Sequence, residues 1–250
     1  MPISRQHTVC EANVSATEPR GNGAAHRTIG DSRRNVPGPE PWSPDQGAQI
    51  WPSTVSIHPT QRATVDLHDL LDSRRTSRDF SARPVADDDL IDLLWAAQGR
   101  TSDERRTTPS AAGRYPLKLV IARGPQPAGT WTWTPQDATL TPRATLDVRA
   151  SLAAAAIGDQ PWVLAAPVTV ALCADVNDMT SHFSAQPPVG RGLRYVDMEI
   201  GAAVQNLALS CTAQGLGGVI VGGFDDDLVA ETLELDTHEP RLLFCLGHPA

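Results

Sequence analysis

No stretch of this 250-residue chain approaches the ~20 uninterrupted apolar residues that cross a bilayer as a helix, so no helical membrane span is expected. An excess of basic residues is also missing. The 21 Lys and Arg stand against 29 Asp and Glu, a formal net charge of −8. A nucleic-acid surface needs clustered Lys and Arg, so no such partner is expected. The negative charge favours solubility and says little about fold. Cysteine is sparse: Cys10, Cys173, Cys211 and Cys245 lie far apart and form no CxxC pair. No Cys or His falls at metal-ligand spacing, so a zinc site has no support. Three of the cysteines sit in apolar stretches and read as buried thiols of a reducing cytoplasm. Met1 to Gly30 contains no apolar run followed by a small-residue cleavage site, so no signal peptide is expected and the localisation expected is cytoplasmic.

Residues Met1 to Gln61 are polar, rich in Pro, Gly, Ser and Asn, and lack a hydrophobic period. Such a composition does not bury enough apolar surface to offset chain entropy. The expectation is a mostly disordered or extended N-terminal arm over 1–61, followed by one domain over 62–250. Within the domain, Val65, Leu67, Leu70 and Leu71 recur at helical spacing. Asp87-Asp88-Asp89 opens a second helix, with Leu90, Ile91, Leu94 and Trp95 on one face and Gly99 as its stop. Leu117 to Ala122 and Pro167 to Ala174 read as buried strands, and Thr130 to Thr134 pairs with Thr139 to Thr141 as a hairpin. Leu146 to Ile157 reads as an Ala-rich helix. Arg194 to Gln214 is the longest helix, with Val196, Ile200, Ala203, Val204, Leu207 and Cys211 along one side. Val219 to Val221 forms a strand, Asp226 to Leu235 a short helix, and Arg241 to Leu246 the last strand. Helices mixed with separated strands predict an α+β domain.

Three segments carry candidate chemistry. Arg74, Arg75, Thr76 and Arg78 put three guanidiniums and a hydroxyl into five residues. Arg forks match phosphate oxygens in paired hydrogen bonds, so the cluster suits a phosphate, although a solvated basic helix end explains it equally well. Pro109-Ser110-Ala111 begins a run of small residues between two prolines, able to lie against a flat ligand or to form a plain surface turn. Gly215 to Gly218 and Gly222-Gly223 flank a strand and permit close backbone approach, as tight-turn chemistry alone also would. They are not a dinucleotide fingerprint, because they follow a helix and precede a strand.

The order of RRTSRDF, LIDLLWAAQGRT, TPSAAGRYPLKLVIA, RGLRYVDMEIGAAVQNLALSCTAQGLGGVIVGGFDD and LFCLGHP resembles the SagB-type branch of the nitroreductase family, over roughly Val65 to Pro249. The resemblance implies a three-layer fold with a central, mostly antiparallel sheet flanked by helices, and an intertwined homodimer that binds FMN at its interface. It implies that Arg74, Arg75, Thr76 and Arg78 hold the phosphate and the N1/O2 edge of the ring. Pro109, Ser110 and Ala111 would reach the flavin from the second subunit, and Val221, Gly222 and Gly223 would place backbone near N5. Azoline-oxidising members carry a Lys-Tyr pair upstream of R-G-Y-R-Y. Here Pro187-Pro188 stands at that place before Arg191-Gly192-Leu193-Arg194-Tyr195, which argues against azoline oxidation. Many relatives also continue past the G-x-P segment with further basic residues, where this chain has Ala250.

The function the resemblance implies is an FMN-dependent dehydrogenase that transfers hydride between flavin N5 and a small-molecule or peptide-derived substrate, in a biosynthetic tailoring pathway. Tyr195 and His182 are the candidates for moving the proton, against a plain packing role for Tyr195 and a loop position for His182. The alternatives are an NAD(P)H-dependent nitro or quinone reductase, and a scaffold that has lost catalysis.

Overall fold

The computed structural model describes residues 65–102 and 105–250. The arm expected over 1–61, with Cys10, lies outside the described residues. Among the described residues no helix is long and apolar enough to cross a membrane.

Chain order runs from two helices, α1 (Leu67–Ser73) and α2 (Asp87–Gln98), into a short two-stranded ladder of β1 (Arg100–Ser102) and β2 (Arg105–Arg106). A 3-10 turn at Ala111–Gly113 leads to β3 (Leu117–Arg123), β4 (Gly129–Thr134) and β5 (Thr139–Ala144). Next come α3 (Arg149–Ala155), α4 (Trp162–Ala165), β6 (Val168–Ala174) and α5 (Val176–His182). The long α6 (Arg191–Ala213), β7 (Gly217–Val221), α7 (Asp226–Thr232) and β8 (Glu239–Gly247) complete the domain. The central sheet has six strands in the order β5-β4-β3-β6-β8-β7, and every neighbouring pair is antiparallel.

Period-two alternation sends the two sides of each central strand into two separate cores. Leu119 and Ile121 of β3, Val170 and Leu172 of β6, and Phe244 and Leu246 of β8 face one cluster, closed by α2 and α6. Val120, Ala171, Cys173, Leu243 and Cys245 face the other, closed by α3, α4 and α7. Helices on both faces of one sheet make the three layers that the resemblance implied. Both sides of these strands are buried, which is why they read in the sequence as nearly continuous apolar runs.

Gly99 ends α2, but not through a left-handed turn: its φ is −69°. A Cβ there would lie 2.3 Å from Trp95 Cδ1 and 2.4 Å from the Trp95 carbonyl oxygen. Close approach is what requires the glycine. The helix expected over Leu146 to Ile157 is shorter, Arg149–Ala155. Its flanks are used otherwise. Asp147 accepts from the Arg149 backbone N–H (3.1 Å) and guanidinium, while Ala156 and Ile157 leave the helix to pair with Phe224 and the Gly223 carbonyl (2.9 Å). Tertiary pairing overrides alanine propensity here.

Candidate functional site

The basic segment after α1 is laid along the start of β7. Thr76 forms a parallel bridge with Gly218, and the Ser77 N–H donates to the Gly218 carbonyl at 3.0 Å. Phe80 bridges Pro249, and the Ser81 N–H donates to the His248 carbonyl at 2.9 Å. The segment is thereby fixed on both sides by sequence-distant backbone. A Cβ at Gly217 would sit 2.5 Å from Ser77 Cβ, and one at Gly218 would sit 2.3 Å from Phe244 Cζ. These glycines are what lets the segment and the core ring approach β7.

Arg75, Thr76 and Arg78 are exposed and Arg74 is half-buried. The Arg75 guanidinium donates to the Arg74 carbonyl (2.9 Å) and to the Asp72 carbonyl. Arg78 lies 5.2 Å from the centre of the Trp162 ring, a cation–π contact that orients its fork. At the other end of β7, Val221 is buried, whereas Gly222 is exposed and a Cβ there would meet nothing within 4 Å. Gly223 is almost as open, its nearest would-be contact lying at 3.8 Å. The Gly223 carbonyl is held by the Ile157 N–H and by Gln160 Nε2 at 3.0 Å. No packing demand explains Gly222. The arrangement is a basic seat and an open strand end on one strand, four residues or about 13 Å apart at the usual rise of an extended chain.

Pro109, Ser110 and Ala111 rest on different elements. Thr108 Oγ1 donates to the Ala97 carbonyl of α2 at 2.6 Å, and Ser110 Oγ accepts the Tyr115 N–H at 2.8 Å. Ala112, Gly113 and Tyr115 all have positive φ, between 51° and 63°. The turn that follows Ala111 is therefore held in a conformation that side chains ordinarily avoid. Tyr195 and His182 come together around one ring: Phe183 stacks edge-on at 4.7 Å from Tyr195 and 4.6 Å from His182. Tyr195 Oη donates to Gln186 Oε1 at 3.2 Å.

Sequence reasoning passed over one polar group, Glu199. It stands on the apolar side of α6 and is 2% exposed. Gln98 Nε2 donates to its Oε1 at 3.4 Å, and Gln98 Oε1 in turn accepts from Arg106 at 2.9 Å. Glu199 Oε2 is buried without a hydrogen-bond partner. Burial pushes the carboxyl above the ordinary range, while Ser110, Gln98 and Arg106 favour its charged form. The signal in the sequence was a charged residue three positions after Val196, within the buried face. A carboxyl raised in the folded state contributes stability below its unfolded value of ~4.3 and loses it as pH rises through the folded value. Glu199→Gln is therefore expected to gain on the wild type as pH rises, by about 1.4 kcal/mol for each unit by which the carboxyl is raised. Melting temperatures from below the unfolded value of ~4.3 up to neutral pH check this. A wild-type-to-variant difference that stays constant with pH would remove the assignment.

The sequence pattern described as "Nitroreductase family" matches residues 71–248 of this chain. The chain belongs to the nitroreductase family. It is accordingly a nitroreductase-family oxidoreductase, and its sheet and flanking helices are the nitroreductase fold. A protein of Methanocaldococcus jannaschii named for the nitroreductases is 32% identical over 200 residues, which is 78% of this chain and 96% of that protein. A crystal structure from Ralstonia eutropha, also named for the nitroreductases, superposes with a TM-score of 0.68 at 27% identity, covering 79% of this chain and 90% of the other. A chain of the Escherichia coli microcin synthetase McbBCD complex, solved with truncated pro-MccB17 bound, superposes with a TM-score of 0.60 at 22% identity and 78% coverage of both, a likeness of fold.

Proposed function

We propose that this nitroreductase-family chain is an FMN-dependent dehydrogenase of the SagB-type branch. In this reading it works as a homodimer in the cytoplasm, on a small-molecule or peptide-derived substrate in a tailoring pathway. The Thr76–Gly218 bridge carries the reading, because it ties the basic segment to the strand whose far end is the open Gly222-Gly223 backbone. The residues present fit the cofactor. Arg74, Arg75 and Arg78 offer charged donors for a phosphate, and the Thr76 hydroxyl offers one more. Gly222 and Gly223 leave space for a flat ring beside backbone. Bound FMN supplies hydride chemistry at N5. The chain's part is to bind, orient and exclude water, with Tyr195 or His182 holding a proton. The buried free thiols Cys173, Cys211 and Cys245 suit a reducing compartment.

The test is direct. Purified protein is expected to be yellow, with absorbance near ~450 nm released by boiling, a property of the cofactor itself. A colourless protein that takes up no added FMN would sink the proposal.

The homodimer is supported by apolar surface that one copy leaves in water. Helix α1 buries no residue, although Leu67 is 59% and Leu71 50% exposed, and Met198 on α6 is 62% exposed. Covering such surface is favourable at roughly 25 cal/mol per Å². Pro109, Ser110 and Ala111 would then approach the flavin held by the other copy's Arg74 to Arg78. Because a ligand that binds only the assembled state stabilises it, added FMN is expected to raise the melting temperature and to suppress monomer at low concentration. A stable monomer by light scattering that holds one FMN per chain would contradict the two-chain site.

A further inference from the structure

The Ser110 side chain has one hydroxyl proton and two lone pairs to place. One lone pair accepts the Tyr115 N–H at 2.8 Å. The proton and the second lone pair are left for a buried neighbour and for a ligand. The buried neighbour is Glu199 of α6, 2% exposed, whose Oε2 has no hydrogen-bond partner. The Ser110 hydroxyl stands close enough to favour the charged carboxyl, short of a full hydrogen bond to Oε2. We propose that ionised Glu199 accepts a hydrogen bond from the Ser110 hydroxyl and so fixes Ser110 as an acceptor for the cofactor. Glu199 is then a positioning residue, acting through Ser110.

A carboxylate oxygen kept from both water and donors is costly, so a donor beside it is drawn to it. Gln98 Nε2 already serves Oε1 at 3.4 Å, and Gln98 Oε1 is engaged by Arg106 at 2.9 Å. Ser110 is the neighbour left for Oε2. The backbone leading to Ser110 is held by other means. Thr108 Oγ1 donates to the Ala97 carbonyl at 2.6 Å, and Asn206 Nδ2 donates to the Ala96 carbonyl at 3.0 Å and to Thr108 Oγ1 at 3.2 Å. These neutral bonds do not titrate. A change of charge on Glu199 therefore turns the hydroxyl and leaves the segment in place. Among the described residues, the charged group facing Glu199 is Arg106 of β2, with Tyr115 against that guanidinium at 4.7 Å, while α2 presents the uncharged Gln98. Arginine keeps its proton in proteins, so Glu199 is the group that changes charge.

The role rests on the flavin reading above, in which Pro109 to Ala111 approach FMN. Below the folded pKa of Glu199 the carboxyl is neutral and the hydroxyl is free to turn. Above it the second lone pair is preorganised, so FMN binds more tightly as pH rises through that value. By reciprocity, bound FMN favours the ionised carboxyl.

Two measurements on the full chain test this. The first is carboxyl 13C NMR of Glu199 in the chain without flavin. Ser110→Ala removes a group that favours the charge and is expected to move the Glu199 titration to higher pH. The second is FMN affinity by fluorescence titration, from about pH 4 to neutral pH. The wild type is expected to gain about 3- to 10-fold more affinity over this range than Glu199→Gln or Ser110→Ala does, the net worth of one neutral hydrogen bond. Ionisation of the FMN phosphate is common to all the variants and cancels in the comparison. The double variant is expected to bind FMN as Ser110→Ala alone does, because Glu199 acts only through Ser110. A plain packing role for Glu199 predicts instead that its effect persists when Ser110 is alanine. The inference is overturned by a Glu199 titration unmoved in Ser110→Ala, by an Ser110→Ala pH profile equal to the wild type, or by additive effects in the double variant. Flavin bound with any of these results leaves the flavin reading standing. A chain that takes up no FMN defeats that reading and this role with it, whatever the NMR titration shows.

Discussion

Arg74→Ala is expected to weaken FMN binding by about 10- to 150-fold, the equivalent of one charge-assisted hydrogen bond of ~1.5–3 kcal/mol. Lys118→Ala is the matched control, since it also removes one positive charge. Lys118 sits on β3 and its ammonium lies 3.9 Å from Asp236, in a part of the sheet remote in order from β7. Fluorescence titration of apoprotein with FMN measures both variants on one scale. The comparison separates a local phosphate contact from a general loss of positive charge in an acidic protein, which would move both equally. Equal affinities in the two variants would place the phosphate elsewhere. Replacement by Lys is expected to recover only part of the loss, because an ammonium keeps the charge but not the fork.

The second large effect concerns stability. Phe244→Ala is expected to cost about 3–5 kcal/mol, the usual range for removing a fully buried aromatic ring. For a domain of this size that lowers the melting temperature by roughly 6–20 °C. Phe244 is 1% exposed and belongs to the core closed by α2 and α6, on the strand between β6 and β7. The ring also meets the site: a Cβ at Gly218 would fall 2.3 Å from it, and Gly218 carries the bridge to Thr76. Gly218→Ala should therefore destabilise by about 1–3 kcal/mol through overpacking, and Phe244→Leu in the same chain should return part of that loss. Thermal melts of the two single variants and the double variant test this coupling. Strict additivity, with no recovery in the double variant, would show that ring and glycine do not compete for the same space.

Much of the architecture was legible because burial imposes periods that a sequence records. The apolar side of α6 and the continuous runs of β3, β6 and β8 follow directly from helices and strands buried as they are. The polarity of the first turn of α2, Asp87 to Asp89, marked its start correctly, and Asp87 also pairs with Arg123 at 2.6 Å. Two short helices, α4 and α5, went unread. α4, with four residues, is too short to display a period; α5 buries Met179 alone, so it shows no apolar face, and it is fixed by Asp175 accepting the Asp178 N–H at 2.8 Å. The β1–β2 ladder was missed because its five residues are polar and its pairing is between backbones.

The sequence by itself determined the family, through the order of its motifs, and the residue types that suit a phosphate. It also determined which faces of the long elements are buried, since hydrophobic period is a local property of the chain. Only the tertiary structure decided which of these pieces meet. The Thr76–Gly218 bridge joins residues more than half the described chain apart, and backbone hydrogen bonds leave no mark on residue type. The same is true of Glu199, Gln98 and Arg106. Gln98 and Arg106 are unremarkable where they stand in the sequence, Glu199 shows there only as a charge within an apolar face, and their relation arises because α2 packs on α6. A buried charge becomes meaningful only when its partners are known, because its energy depends on distance and on the water that packing excludes.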